Sequence, residues 1–361
     1  MKKRWILAAA CLLAAVLIGC RQGPKTEGSR SETRPETQSM QPAASDLQDG
    51  PGSSTAEQVQ TPEIPEDASY HWAVEPFLET PAVEVLCYQR PMEGLGGSLA
   101  LGLVSDWPYG VFFTGDLQEP AQGLISYDGT VLPDVQGRDV MVGYDGRLSI
   151  QTESGEKELL RDGSMQDIST PEITGTNVNQ RYLYDGGTGI LYEGSGQDGF
   201  LPVQEAVSGV VYYAEDIDPE NCYDYTNRFV VLQDGTPAFA PFEADECQNV
   251  SCNVMAVRRG DAWGYWKADG TQLLPFEYQG HQYGQAYDET GTLAFGFVNE
   301  AYPATEDTLV LYRGGETGLY DLESGEMRIP FGILEELRPV QGGKCFARSG
   351  GLWGVLELED T

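Results

Sequence analysis

The residues of this chain able to do chemistry are few in kind. The densest cluster is Glu215-Asp216-Ile217-Asp218-Pro219-Glu220-Asn221-Cys222-Tyr223-Asp224. Its carboxylates at Asp216, Asp218, Glu220 and Asp224 alternate as hard oxygen ligands do around calcium. The match to a calcium loop is incomplete, because Asn221 stands where such a loop wants Gly and Asn227 where it wants Glu. A solvated acidic loop is the competing expectation, and no other metal or cofactor is indicated. The whole chain holds two histidines, His71 and His281. They are 210 residues apart, without neighbouring ligands and with no CxxC pair in the chain, so no zinc site is expected. GxSxG, P-loop and HExxH patterns are all absent. Each histidine therefore reads as an ordinary surface or hydrogen-bonded residue, and no catalytic residue is assigned. A paired-carboxylate glycan hydrolase stays as a minor alternative, only because acidic residues are so numerous.

The elements that would carry such residues are short. From residue 67 onward, runs of Val, Leu, Tyr, Phe and Trp are broken by Gly and Asp. That is the punctuation of many strands joined by tight turns, and no amphipathic run is long enough for a helix. The clearest unit spans residues 255–278. A strand at Met255–Arg258 meets a turn at Gly260-Asp261, a second strand runs Trp263–Lys267, and Asp269-Gly270 sends the chain back through Leu273-Leu274 to Pro275-Phe276. Asp-Gly suits the positive φ that two-residue hairpins demand. Gly264 clears space beside Trp263 for a close neighbour. Turn residues Asp128, Asp162, Asp198, Asp234, Asp269, Ser324 and Asp360 are separated by 34, 36, 36, 35, 55 and 36 residues. Such a period marks stacked or circular repeats, and the gap of 55 implies an insertion within 280–306. Asp145-Gly146 and Asp185-Gly186 fall off this register. The insertion is rich in Tyr and Gly (Tyr283, Tyr287, Tyr302), which suits a binding lip or a decorated loop.

The segment from Arg259 to Gly270, followed by Leu-Pro-Phe-Glu-Tyr, resembles a WG repeat, a β-rich repeat of bacterial surface and secreted proteins. Arg348 to Val355 resembles the opening of a second copy. Units at 123–133 and 318–331 are similar, with Gln122 and Thr317 in place of the Trp. Trp72-Ala73-Val74-Glu75-Pro76 resembles the lead-in of such proteins. The resemblance implies a β-repeat scaffold for binding, with no catalytic motif to carry over. Trp263, Gly264, Asp269, Gly270, Trp353 and Gly354 are its structural signature here.

At the other end, Lys2, Lys3 and Arg4 precede an apolar run from Trp5 to Ile18 and a closing Leu17-Ile18-Gly19-Cys20. The run is 14 residues, short of the roughly 20 that span a bilayer. These residues resemble the signal peptide and lipobox of a bacterial lipoprotein. The resemblance implies removal of residues 1–19, a diacylglyceryl group on the Cys20 thiol, and a chain held by lipid on the extracytoplasmic face of a membrane. Residues 20–66 then form a linker. Positions 21–66 contain no Phe, Trp or Tyr, a composition that cannot offset chain entropy by burial.

Residues 67–361 are long enough for a sizeable core. They hold 48 of the 56 acidic and 15 of the 22 basic residues, a net charge of −33. Such a surface repels nucleic acid and anionic lipid. With Cys11 in the leader and Cys20 lipidated, Cys87, Cys222, Cys247, Cys252 and Cys345 remain. Their number is odd, and one bridge among Cys222, Cys247 and Cys252 suits an export compartment. The expectation is an all-β fold of repeated antiparallel hairpin units, propeller-like, with an open solenoid-like stack of hairpins as the alternative. The expected role is a non-catalytic module binding a surface protein, peptide or glycan, against a structural or envelope-assembly role.

Overall fold

The structure, a computed structural model, describes residues 64–65, 68–85, 88–91, 101–104, 107–114, 121–137, 140–142, 147–152, 155–168, 181–195, 199–204, 206–215, 227–248, 250–281, 284–287, 293–296 and 299–359. Among these every regular element is a strand. The described strands form eight sheets, of which two are two-stranded hairpins (Tyr88–Pro91 with Leu101–Val104, and Gly284–Tyr287 with Leu293–Gly296); the others divide in chain order into seven units, here called blades.

Blade one is Val83–Val85, Tyr109–Thr114, Ala121–Ser126 and Val131–Gly137; blade two is Val140–Val142, Leu148–Thr152, Gly155–Leu159 and Met165–Asp167. Blade three is Arg181–Asp185, Ile190–Ser195 and Gly199–Pro202. Blade four is Gly209–Ala214, Arg228–Gln233 and Thr236–Pro237, with Phe242–Glu243 also paired to Arg228–Gln233. Blade five is Glu246–Cys247, Val254–Arg259, Ala262–Lys267 and Gln272–Tyr278. Blade six is Thr308–Arg313, Glu316–Asp321 and Met327–Ile329. Blade seven takes Glu336–Leu337, Lys344–Ser349 and Leu352–Leu358 from the end of the chain and Tyr70–Leu78 from its beginning. The segment resembling a repeat lead-in is thus the strand that completes the last blade. Tyr70 faces Leu358 and Leu78 faces Trp353 across that seam. The first and last described strands thus share one blade, as they do in propeller-like folds.

Burial explains why these strands are apolar throughout instead of alternating. A blade that lies between two others needs apolar cover on both of its faces. In Thr308–Arg313, Leu309 and Leu311 join the layer shared with blade five, while Val310 and Tyr312 join the layer shared with blade seven. In Val254–Arg259, Met255 and Val257 face blade four and Val254 and Ala256 face blade six. In Lys344–Ser349, Cys345 and Ala347 face blade six and Phe346 faces blade one. Shared layers also join blades one and two and blades three and four. The junction of blades two and three falls on residues 169–180, outside the described residues.

Three features depart from the even period. Asp185-Gly186, off register in the sequence, is a true hairpin turn: the Asp185 carboxylate accepts from the Gly187 and Thr188 amides at 2.8 and 3.2 Å. Asp198, the expected turn residue, lies outside the described residues. Blades three and four are also fused, because Arg181–Asp185 runs parallel to Gly209–Ala214. The insertion expected within 280–306 is a two-stranded hairpin, Gly284–Tyr287 with Leu293–Gly296.

A recurring staple ties one blade to the next. Trp263, fully buried, donates its indole N–H to the Asn299 carbonyl at 3.2 Å; Trp353, 90 residues later and also fully buried, donates to the Thr80 carbonyl at 3.2 Å. The Thr80 acceptor leads into Val83–Val85 of blade one, and the Asn299 acceptor lies in the segment that leads into blade six. Thr317, standing where those units have Trp, makes the same step with its hydroxyl to the Leu334 carbonyl at 3.4 Å. Gly354 beside Trp353 is required by close approach: a Cβ there would lie 2.5 Å from the Val74 carbonyl oxygen, a backbone atom of the closing strand. Trp353→Ala is expected to lower the unfolding free energy by about 3–5 kcal/mol, and Trp353→Phe, which loses only the N–H and part of the ring, by about 1–3 kcal/mol. Urea unfolding of both variants checks this; a loss below about 1 kcal/mol for the Ala variant would show that the ring does not depend on this staple.

Candidate functional site

The described side chains with the strongest chemistry meet where the innermost strands of the ring converge. Register identifies the equivalent positions. Glu246 faces Arg258 and Glu336 faces Arg348 in blades five and seven, and each pair forms an ion pair, at 2.9 and 3.0 Å. The residue two beyond each glutamate reaches into the next blade. Gln248 donates its side-chain amide to the Ala301 carbonyl, and Arg338 donates Nε to the Val83 carbonyl, each at 2.5 Å. In blade one the same position is Glu84, and Tyr302 reaches it from the segment leading into blade six.

Arg338, Glu84 and Tyr302 meet, with His281 and Tyr312 beside them. Arg338 is fully buried. Its five N–H donors find five acceptors: the Val83 carbonyl from Nε, the Leu337 carbonyl and Tyr312 hydroxyl from Nη1 (both 3.1 Å), and Glu84 and Glu336 from Nη2 (3.1 and 2.9 Å). Its plane lies over the Trp353 ring, 4.7 Å from the centroid. Tyr312 passes its own proton to the Leu337 carbonyl at 3.0 Å. The Glu84 carboxylate, 14% exposed, also receives the Tyr302 hydroxyl at 2.8 Å and lies 3.0 Å from His281 Nε2. Tyr302 stands 2.9 Å from the same nitrogen, with ring centroids 4.5 Å apart. With Nε2 protonated toward the carboxylate, His281 Nδ1 is left buried and without a hydrogen-bond partner among the described residues.

Burial alone would raise the Glu84 carboxyl. The charges of Arg338 and His281, with hydrogen bonds from His281 and Tyr302, outweigh it and hold the group below the usual carboxylate range. Burial and the facing Glu84 push the Tyr302 phenol well above its ordinary value, although Arg338 opposes the shift. The cluster is therefore a buried guanidinium shared by the Glu84 and Glu336 carboxylates and flanked by neutral phenols. Two clefts of the described surface lie elsewhere, one beside Cys252 and Lys267 and one beside Arg228 and Arg259. The cluster's geometry welds blade seven to blades one and six; it does not present a nucleophile to a cavity.

The residues singled out in the sequence fall as follows. Trp263 and Trp353 are blade staples; a Cβ on Gly264 would sit 3.0 Å from the Phe276 ring, and Gly270 turns the hairpin at φ +85° while Asp269 accepts from the Thr271 amide at 2.8 Å. Asp216, Asp218, Glu220 and Asp224 lie outside the described residues, as do Cys20, Cys87 and Cys222. Cys247, Cys252 and Cys345 are free thiols, so no bridge joins Cys247 to Cys252. The reason is direction: Cys247 Sγ lies 4.0 Å from the Met255 sulfur, whereas Cys252 Sγ points to the Ala304 carbonyl. Tyr302 is no lip residue; it turns inward to Glu84. His71 is exposed, 3.7 and 3.8 Å from Glu357 and Glu359. His281 is hydrogen-bonded as expected, but at the centre of the cluster. Glu84 and Arg338 were missed altogether, because the 197 residues between Glu84 and His281 leave no local pattern to find.

Removing one partner of a buried pair strands the other. Glu84→Gln is expected to cost about 3–5 kcal/mol at neutral pH. Because the folded carboxyl titrates below its unfolded value near 4.3, its contribution is present above that value and disappears as pH falls through the folded one. The gap between wild type and Glu84→Gln in urea midpoints should thus close between about pH 5 and the acid limit of folding. A gap that stays constant over that range would remove Glu84 as the acid-sensitive contact.

No family model matches this chain, and no characterised protein matches it in sequence. Among solved structures, the AfRom2 CNH domain aligns over 81% of this chain and 99% of its own, at 7% identity and a TM-score of 0.30. The Neurospora crassa Pan2 WD40 domain aligns over 76% of this chain and 89% of its own, at 11% identity and a TM-score of 0.25. PorZ, a surface component of the type-IX secretion system of Porphyromonas gingivalis, aligns over 76% of this chain and 42% of its own, at 10% identity and a TM-score of 0.21. These overlaps are loose. The propeller-like fold of this chain stands on its own strand order, its two-faced blades and the pairing of its first strand with its last.

Proposed function

We propose that this chain is a non-catalytic binding module, held by lipid on Cys20 to the extracytoplasmic face of a bacterial membrane and displayed on the linker of residues 20–66. The observation that carries the binding role is how the ring spends its buried polar groups. Arg338, Glu84, Tyr302, Tyr312 and Glu336 satisfy one another between blades. A core arranged this way supports a rigid scaffold, and rigid scaffolds present binding groups on their loops and clefts. The lipid anchor rests on Lys2-Lys3-Arg4, the apolar run to Ile18 and Cys20. The WG-type signature at Trp263-Gly264 and Trp353-Gly354 supports the scaffold reading, since both tryptophans are buried as blade staples. With 46 residues between Cys20 and position 67, a flexible linker would hold the ring about 35–40 Å from its anchor.

Two measurements test this. Cys20→Ser should shift the protein from the membrane fraction to the soluble one, and unchanged retention with native processing would end the anchoring proposal. The full chain in detergent, immobilised and exposed to envelope extract from its host, should retain a discrete protein or glycan that excess free chain competes away. Retention of nothing competable would end the binding role and favour a purely structural one.

A further inference from the structure

A cleft of about 690 Å³ opens between blades four and five. Asn227 and Arg228 enter it from the start of Arg228–Gln233, Glu243, Ala244 and Asp245 from the link between the blades, and Arg259 from the end of Val254–Arg259. Arg259 is exposed on a strongly acidic surface, yet it makes no ion pair among the described residues. Its guanidinium is held over two rings, 5.2 Å from the Trp266 centroid and 4.8 Å from that of Phe276. Arg228 is oriented in the same way, 4.7 Å over Tyr213 and 3.1 Å from Glu215. Both forks are fixed before any ligand arrives, which lowers the entropy cost of using them.

The lining has a specific chemistry. Every side chain in it except Ala244 ends in a planar group with two hydrogen-bonding atoms: two guanidiniums, one amide and two carboxylates. Planar two-atom groups match the adjacent hydroxyls of a sugar ring, whose oxygens both donate and accept. The cleft sets two guanidiniums beside two carboxylates, with Glu215 already paired to Arg228, so it offers donors and acceptors of both signs instead of a single-sign field. A peptide strand has little to add to here. The Ala244 and Asp245 amides are already bonded to the Asn227 and Arg258 carbonyls, at 3.0 and 2.9 Å.

We propose that this cleft binds a neutral oligosaccharide, with Arg259 and Glu243 as its main hydrogen-bonding residues. The proposal rests on the binding-module reading and names its ligand class. The test is calorimetric and tryptophan-fluorescence titration of the full chain with cellotetraose, maltotetraose and chitotetraose, beside tetragalacturonate, an acidic peptide and a basic peptide. At least one neutral saccharide should bind saturably. Arg259→Ala and Glu243→Gln should each weaken that binding by about tenfold or more, with unfolding midpoints unchanged and Arg313→Ala, on another blade, without effect. Failure of all three neutral saccharides to saturate, binding confined to the charged probes, or equal affinity in Arg259→Ala would overturn it. Should the envelope experiment retain a protein while no saccharide binds, the binding module stands and this ligand assignment falls.

Discussion

A ring of sheets that bury both faces has one weak point, the seam where the chain's two ends meet. The other described blade interfaces are built from neighbours in sequence, but this one joins residues more than 250 apart. Arg338 is the side chain on which it depends. It sits at the innermost strand of the last blade, fully buried, and all five donors are spent across or beside the seam. A guanidinium with even one donor idle would cost the fold more than an apolar side chain of the same volume. Here the Val83 carbonyl and the Glu84 carboxylate, both from the first blade, complete the set. The Trp353 ring below it reaches the same blade through Thr80. Charge, hydrogen bond and ring face thus act at one place, while the closing strand Tyr70–Leu78 pairs with Leu352–Leu358 at the opposite edge of the same blade.

The sequence makes parts of this legible and hides others for physical reasons. Hairpins are readable because their causes are local. Asp269-Gly270 must turn, Val254–Arg259 and Ala262–Lys267 must pair, and a glycine after a tryptophan must answer to a close neighbour. Repetition is readable too, since Glu246, Arg258 and Trp263 recur at Glu336, Arg348 and Trp353 with one spacing. The even period was only partly right, because Asp185 turns a genuine hairpin through local carboxylate-to-amide bonds that ignore the global register. The central cluster is not legible at all. Glu84 lies in Val-Glu-Val and Arg338 in Leu-Arg-Pro, contexts that signal nothing by themselves. Their meaning comes from ring closure, which sets equivalent inner-strand positions side by side.

Those inner positions also show why a degenerate repeat need not be a decayed one. Register places Tyr312 of blade six where blades five and seven have Arg258 and Arg348. Across from Tyr312 stands Gln279, whose side-chain oxygen accepts from the Gly315 amide as Asp245 and Glu335 accept from Gly260 and Gly351. Glu300 pairs instead with His281, and burial and the nearby Glu246 push its carboxyl up. At the seam Tyr312 has a further use. Tyr312 accepts from Arg338 and donates to the Leu337 carbonyl, and burial keeps its phenol neutral and able to do both. An arginine at that position would place a second cation beside Arg338, where Glu84 and Glu336 already share one. The Tyr is therefore the residue that lets one buried arginine close the ring, and blade six departs from the repeat because it stands next to the seam.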